Sequence, residues 1–413
     1  MRLLFVIQRY GEDVPGGAER CVREYARRLA ARGHDVHVLT SCARSYVDWA
    51  NHYPEGVEMI EGVVVHRLPV SWPRPHHRFE EANNRVVGSL VAGHRVPRYF
   101  QESWMHLMGP TIPGLDRWIV DHQAEFDVAI VYTYLYFTAW RALAVLAGRV
   151  PIVFHPTAHA EPYLGLDLFD EPFRQCDALG FLTEEEGDLV ATRFGPTAAR
   201  KPSLVTGIGV ELIGAMGGEV GSAAVAAFRH RFGVGNRPYL VYVGRVDPNK
   251  GTGELFQFFA TYKNRRPGPL ALVVIGETVA ELPAHADVVI TGFVEDETAA
   301  AGLAGAEVFV HPSYFESFSM VLTEAWAQRR PALVQGGCPV LVGQCARSGG
   351  GLPYNGYEEF EAALDALLGD EGLRAALGSR GRAYVEERYA WDPLLTRYEG
   401  FLETVADMAA NRP

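Results

Sequence analysis

The sequence predicts two doubly wound α/β domains, and three observations carry that expectation. Its 413 residues exceed what one ordinary core organises. Short apolar runs, continuous rather than alternating, are separated by stretches of helical periodicity, the pattern of parallel sheets covered on both faces. A small-residue stretch, IGAMGGEVGSAA at 213–224, interrupts this pattern, which then starts again.

The elements follow in order. A buried strand is expected at 3–7, then a glycine loop at 11–17 and a helix at 18–32 with apolar residues at helical spacing. Further strands are expected at 36–40, 62–67, 127–132, 151–155, 178–183 and 203–206. Beyond the linker come a strand at 239–243, a helix at 252–263, strands at 271–275, 288–291 and 308–311, and a closing helix at 391–408. The chain thus divides into a first domain at 1–212, the linker at 213–224, a second domain at 225–390 and a terminal segment at 391–413. Two Rossmann-like domains of this kind are expected to face each other across a cleft, with ligands bound beyond the carboxyl ends of the strands.

Composition narrows the function. Apolar residues make up 48% and charged residues 21%, the profile of a globular enzyme. Thirty-eight basic against 50 acidic residues leave a net charge of −12, which argues against a nucleic-acid partner. The amino terminus lacks the long apolar core of a signal peptide, and no run of about 18 apolar residues suggests a membrane span, so a cytoplasmic location is expected. Five scattered cysteines without a C-x2-C pair read as reduced thiols rather than disulfides or zinc ligands.

Three segments carry candidate chemistry. Gly16 and Gly17 lie between the first strand and its helix, where glycine allows close backbone approach and the helix start favours anionic oxygens. A plain strand–helix turn has the same appearance, and the pattern is not G-x-G-x-x-G. In V-G-R-V-D-P-N-K-G, at 243–251, Arg245 stands at the end of a buried strand and Lys250 follows five residues later. A guanidinium fork and a mobile ammonium suit a diphosphate, although a solvated basic loop reads similarly. In S-Y-F-E-S-F-S-M-V-L-T-E, at 313–324, Glu316 precedes a helix expected to begin near Ser319. Glu324, eight residues on, lies within that helix. One carboxylate could accept sugar hydroxyls and the other the paired hydroxyls of a ribose, while the amides at 318–321 point at an anion. Glu316 could equally be an ordinary helix-start carboxylate.

Together with V-T-G-I-G-V-E at 205–211, T-G-F-V at 291–294, H-P-S-Y-F-E-S-F at 311–318 and the late Trp391, these segments resemble the retaining GT-B glycosyltransferases of family 4 along nearly the whole chain. The resemblance implies a GT-B fold whose C-terminal helix crosses back to the first domain. It implies a glycosyltransferase of the hexosyltransferase class, using a nucleotide-sugar donor, an unidentified acceptor and neither cofactor nor metal. On this basis Arg245, Lys250, Gly17 and the segment Ser319, Met320 and Val321 hold the donor diphosphate. Glu324, Phe293 and Val294 take the ribose and nucleoside, Glu316 and Phe318 the sugar, and Glu316 and His159 are the catalytic candidates. A lone histidine such as His159 is also a common structural residue.

Two departures bear on the donor sugar. Many members have E-G-F-G where this chain has Glu316-Ser-Phe-Ser319, and the small-residue stretch at 334–351 lacks their G-x-x-E glutamate. On the acceptor side, six arginines and four histidines fall between His66 and Arg98. They could face an anionic acceptor or membrane headgroups, or form a mobile solvated insertion. The rings of Tyr132, Tyr134, Tyr136 and Phe137 could stack on an acceptor or fill the core. A nucleotide-sugar epimerase on the same fold and a non-catalytic nucleotide-sugar binder are the rival readings, and the first would need no acceptor.

Overall fold

The apolar run that opens the chain forms strand β1 (Arg2–Val6), whose Leu3, Leu4, Phe5 and Val6 are fully buried. It lies at the centre of a sheet completed by β2 (Asp35–Ser41), β3 (Gly56–Ile60), β4 (Val63–Leu68), β5 (Val128–Tyr132), β6 (Ile152–His155), β7 (Ala178–Phe181) and β8 (Ser203–Val205). The computed structural model describes residues 1–212, 220–247, 250–279 and 284–410. Strand order is β3-β4-β2-β1-β5-β6-β7-β8, and every pairing is parallel except that of β3 with β4. A second sheet contains β9 (Tyr239–Val243), β10 (Ala271–Ile275), β11 (Val288–Gly292), β12 (Val308–His311), β13 (Ala332–Gln335) and β14 (Gly351–Tyr354). Its order is β11-β10-β9-β12-β13-β14, parallel throughout.

Parallel neighbours need crossovers, supplied by helices such as Gly17–Ala31 after β1 and Thr252–Arg265 after β9. In both sheets the chain first winds to one side and then jumps back. The switch lies between β1 and β5 in the first sheet and between β9 and β12 in the second. Such points leave a crevice at the carboxyl ends of the two strands, because their crossover helices run to opposite faces. The motif residues leave the sheets there: the glycine loop after β1, Arg245 after β9 and the Glu316 loop after β12.

Contacts group Met1–Gly207 with Leu395–Pro413 in one compact unit and Ile208–Leu394 in another. The terminal helix, Trp391–Ala410, belongs to the first unit from Leu395 onward and supplies it with the fully buried Tyr398, whose hydroxyl bonds His155 Nε2 at 2.9 Å. Gly180 makes room for that imidazole, since a Cβ there would stand 2.1 Å from it. Glu399 fixes the same helix through Arg32 at 2.7 Å and His34 at 3.1 Å. The second unit packs Leu240, Tyr242, Leu272, Val274 and Val310 of its sheet against Phe256, Phe259 and Leu364.

Several elements differ from expectation. Strand β3 forms an antiparallel hairpin with β4, and its exposed Val57 and Met59 give no buried-strand signal. The stretch at 334–351 is not a plain loop: the helix Pro339–Ser348 fills it between β13 and β14. Of the expected linker, 213–219 lie outside the described residues, and 222–224 begin the helix Ser222–Arg231. The basic segment is built into the first unit as the helices His76–Val91 and Arg98–Met108.

Candidate active site

Beside the second switch point the backbones leaving β9 and β10 close tightly. Gly244 and Gly276 have φ of 148° and 139°, and a Cβ on Gly276 would lie 2.2 Å from the Gly244 carbonyl oxygen. Arg245 follows, half-exposed, with Nη2 2.9 Å from Asp247 Oδ2. Asp247 also shapes the loop through its carbonyl, which accepts from the Lys250 amide at 2.9 Å and Thr252 Oγ1 at 3.0 Å. Pro248 and Asn249 of this motif lie outside the described residues. Gly251, at φ 68°, brings the loop against the next segment, leaving only 2.2 Å between a built Cβ and the Pro312 carbonyl oxygen.

That close approach brings Lys250 to Glu316. Nζ donates to Oε1 at 2.8 Å, and His311 Nε2 stands 3.4 Å from the same oxygen. Burial alone would push the Glu316 carboxyl up, but His311 and Lys250 outweigh it and hold it well below the usual carboxylate range. The loop is tethered further by Tyr314, whose hydroxyl donates to Glu254 Oε2 at 2.8 Å, while Gln335 Nε2 donates to Glu254 Oε1 at 2.7 Å.

The helix after this loop runs Met320–Ala327 from Ser319, which adopts φ 71° and ψ 81°. A left-handed serine is strained by about 1–2 kcal/mol, where glycine would not be. Its buried Oγ has no hydrogen-bond partner in the structure. The amides of Met320 and Val321 belong to the first turn, whose N–H groups have no partner within the helix. Glu324 is half-buried one turn further on. Phe318 turns its ring inward, 2% exposed and edge-on to Tyr389, so only its main chain remains at the junction. Phe293, by contrast, is 78% exposed just beyond β11, beside the half-buried Val294.

In the first unit, Gly17 opens the helix Gly17–Ala31 and Gly16 precedes it at φ 148°. A buried ion pair pins this loop from beneath. Glu19 accepts from Arg9 Nη2 at 2.5 Å and from Gln8 Nε2 at 2.9 Å, while Arg9 also donates to the Pro15 carbonyl at 3.1 Å. A Cβ on Gly16 would lie 2.0 Å from Glu19 Oε2. His159 is half-buried after β6, with Nδ1 3.8 Å from Glu161 Oε1; Tyr134 donates to that oxygen at 2.6 Å.

The aromatic run after β5 is largely core: Tyr132 and Tyr134 are buried, and Tyr132 stacks on His155 at 4.4 Å. The basic segment is likewise engaged. Arg67 is buried against Glu58 and the half-buried Arg74 lies over the rings of Trp49 and Phe79, while Arg85, Arg95 and Arg98 pair with Glu81, Asp167 and Glu102. Among the described residues no group of three or more His, Cys, Asp or Glu could hold a metal, and no helix is long and apolar enough to cross a membrane.

Comparison with known proteins matches both units. The family model for "Glycosyl transferases group 1" covers residues 227–384, and that for "Glycosyl transferase 4-like domain" covers 16–200. The chain belongs to the group 1 glycosyltransferases. This glycosyltransferase is similar over 96% of its length to 93% of the glycogen synthase of Mycobacterium tuberculosis, at 26% identity. It is 27% identical to the D-inositol 3-phosphate glycosyltransferase of Xylanimonas cellulosilytica, over 98% of this chain and 94% of that one. Among solved structures, sucrose-phosphate synthase from Thermosynechococcus elongatus superposes with a TM-score of 0.70 at 16% identity, covering 99% and 100% of the two chains. HepE of Anabaena, solved with UDP-glucose, gives 0.67 at 16% identity, covering 98% and 100%. The fold is GT-B, and the chain is a nucleotide-sugar-dependent glycosyltransferase.

Sequence reasoning missed His311 as a neighbour of Glu316, and with it Glu254, Gln335, Arg9 and Glu19. His311 had a legible signal, since it ends a buried strand within the Glu316 motif. The Arg9–Glu19 pair had none, because a charged residue after a strand and another in a helix turn are ordinary surface patterns.

Proposed function

We propose that this glycosyltransferase moves a hexose from a nucleoside diphosphate sugar to an acceptor with retention of configuration and without a divalent metal. The observation that carries the reading is the Lys250–Glu316–His311 cluster beside a helix start at the second switch point. Arg245 and Lys250 neutralise the leaving diphosphate, helped by Gly17, by the amides of Met320 and Val321 and by the unpartnered hydroxyl of Ser319. Glu324 accepts from the ribose, and the exposed Phe293, with Val294, offers an apolar face to the base. Glu316 and the main chain at Phe318 meet the sugar, with His159 on the first unit as the second catalytic group.

In this reading Glu316 remains ionised when positive charge develops on the sugar ring, because its neighbours hold its pKa down. Preorganised charges of this kind stabilise a transition state without reorganising during the reaction. The departing diphosphate, once freed from the anomeric carbon, takes the acceptor's proton on the same face. Retention and metal independence rest on the family resemblance. For the donor, HepE is described in complex with UDP-glucose and a mannosyltransferase relative as GDP-mannose-dependent, so both nucleosides are candidates. A cytoplasmic location is part of the reading, supported by five free and buried thiols.

A thermal-shift panel of UDP- and GDP-sugars tests the donor, since a ligand at 100 times its Kd stabilises by about 2.7 kcal/mol. Proton NMR of the product then tests retention. An inverted anomer, or turnover abolished by EDTA and restored by magnesium, overturns the proposal.

A further inference from the structure

The most deeply buried carboxylate of the first unit is bonded to a loop and not to a cation. Glu186 is 1% exposed in the first turn of the helix Glu184–Phe194. Thr183 caps that helix by accepting from the Glu186 amide at 3.2 Å, so T-E-E-E at 183–186 begins like a capping box. The carboxylate then does more than a box requires. Oε2 accepts from the Leu182 amide at 2.7 Å, while Oε1 crosses to the segment after β6 and accepts from the Ala158 amide at 2.8 Å.

That segment needs a fixed anchor. Thr157 has φ 51° and Thr133, across from it, φ 69°, both in the left-handed region that costs a non-glycine residue about 1–2 kcal/mol. The two stretches are laced together, Thr133 N to the His155 carbonyl at 2.9 Å and Tyr134 N to the Pro156 carbonyl at 3.0 Å. His159 is the residue after the amide that Glu186 holds. A strained turn carrying a half-exposed imidazole persists only when its surroundings over-determine it. A helix-borne carboxylate provides this better than another loop would.

We infer that Glu186 is a positioning residue for sugar transfer, clasping the Thr157–Ala158 turn so that His159 is held for the reaction. The inference rests on the reading of His159 given above. The clasp needs two acceptor oxygens of one carboxylate, each aimed at a main-chain N–H. An amide in its place offers one acceptor and turns an NH2 group toward the other donor. Glu186→Gln therefore releases one end while keeping size and shape. Glu186→Asp keeps the carboxyl group, but its shorter side chain cannot span both amides.

The test compares both variants with wild type and with Thr183→Ala, which weakens the same helix start at the Glu186 amide while leaving both donors to the carboxylate in place. Three quantities are read: hydrogen exchange at 157–159, calorimetric Kd for UDP and GDP, and steady-state release of nucleoside diphosphate from UDP-glucose and GDP-mannose. The expected result for Glu186→Gln and Glu186→Asp is exchange faster by about tenfold or more at 157–159, as local opening becomes easier. Turnover falls by about tenfold or more, and diphosphate Kd stays within about twofold, the mark of an interaction felt in the transition state. Thr183→Ala leaves both exchange at 157–159 and turnover near wild type. Combining Glu186→Gln with His159→Ala is no slower than His159→Ala alone, because the two act in series. Unchanged exchange in both Glu186 variants, or a double variant whose losses multiply, overturns the clasp. If His159→Ala turns over at the wild-type rate while Glu186→Gln still loosens the loop, the reading of His159 fails and the catalytic role of the clasp fails with it. Should Glu186→Gln not fold, Glu186→Asp and the exchange measurement decide alone.

Discussion

Lys250 and Glu316, 66 residues apart in sequence, form an ion pair of 2.8 Å between two loops that leave adjacent strands of one sheet. In the proposed reaction the ammonium serves the diphosphate and the carboxylate the sugar, so each holds the other in place until the donor arrives. Lys250→Ala and Arg245→Ala should each weaken nucleoside diphosphate binding by about 2–3 kcal/mol, the worth of a charge-assisted bond. Calorimetry with UDP and GDP checks this, and unchanged affinity in both variants removes the assignment.

The same pair fixes a pH dependence. The folded-state pKa of Glu316 is depressed, so its contribution to stability is present above the ordinary carboxylate value and lost as pH falls through the folded one. Lys250→Met removes one of the groups that hold it down. The acid limb of the turnover profile should therefore move to higher pH in that variant, and an unmoved limb would mean that Glu316 does not govern it.

The two glutamates should separate kinetically. Glu324→Gln is expected to weaken free diphosphate and intact donor alike, because it serves the ribose. Glu316→Gln should leave diphosphate affinity nearly intact while kcat falls, since its contact matters most in the transition state. Titration and steady-state transfer on the same preparations decide, with melting temperatures confirming that both variants are folded.

Removing one member of the buried Arg9–Glu19 pair should be costly. Arg9→Met leaves an unpaired carboxylate beneath the glycine loop and should destabilise by about 3–5 kcal/mol. Adding Glu19→Gln removes that charge and should recover part of the loss. Urea unfolding of the single and double variants measures the difference, and additive losses would contradict the pairing.

Acid should loosen the edge of the first sheet. His37 Nδ1 and His66 Nε2 lie 2.9 Å apart, and the pKa of His66 is lowered to about 4 by burial, then by His37 and His122. The unfolded chain takes up the proton first, so stability falls as pH drops from about 6.5 toward 4. His66→Gln should flatten the fall in melting temperature between pH 7 and pH 4.5. An identical slope in the variant would place the acid lability elsewhere.

Much of this was legible in advance because strands β1, β5, β9 and β12 are continuous apolar runs buried on both faces, and such runs declare themselves locally. The loops that follow them carried the candidate residues for the same reason. The hairpin strand β3 escaped because both its faces are exposed, and β13 and β14 because glycine and cysteine around 336–351 mask the periodicity of the helix between them. The basic excess at 66–98 gave no sign of its partners, because Asp167 and Glu171, which pair with Arg95 and Arg98, arrive from a segment about 70 residues away.

The sequence by itself determined the alternation of strand and helix, the restart of the pattern past the linker and the family motifs. These depend on residue type at short range, where periodicity and backbone preference act. Only the tertiary structure decided the strand order, the inward ring of Phe318, the left-handed Ser319 and the meeting of Lys250, His311 and Glu316. Those outcomes depend on which backbones approach within van der Waals distance, as Gly251 does to Pro312 and Gly276 to Gly244. Close packing of distant segments settles such contacts, and a one-dimensional pattern does not encode the distances between them.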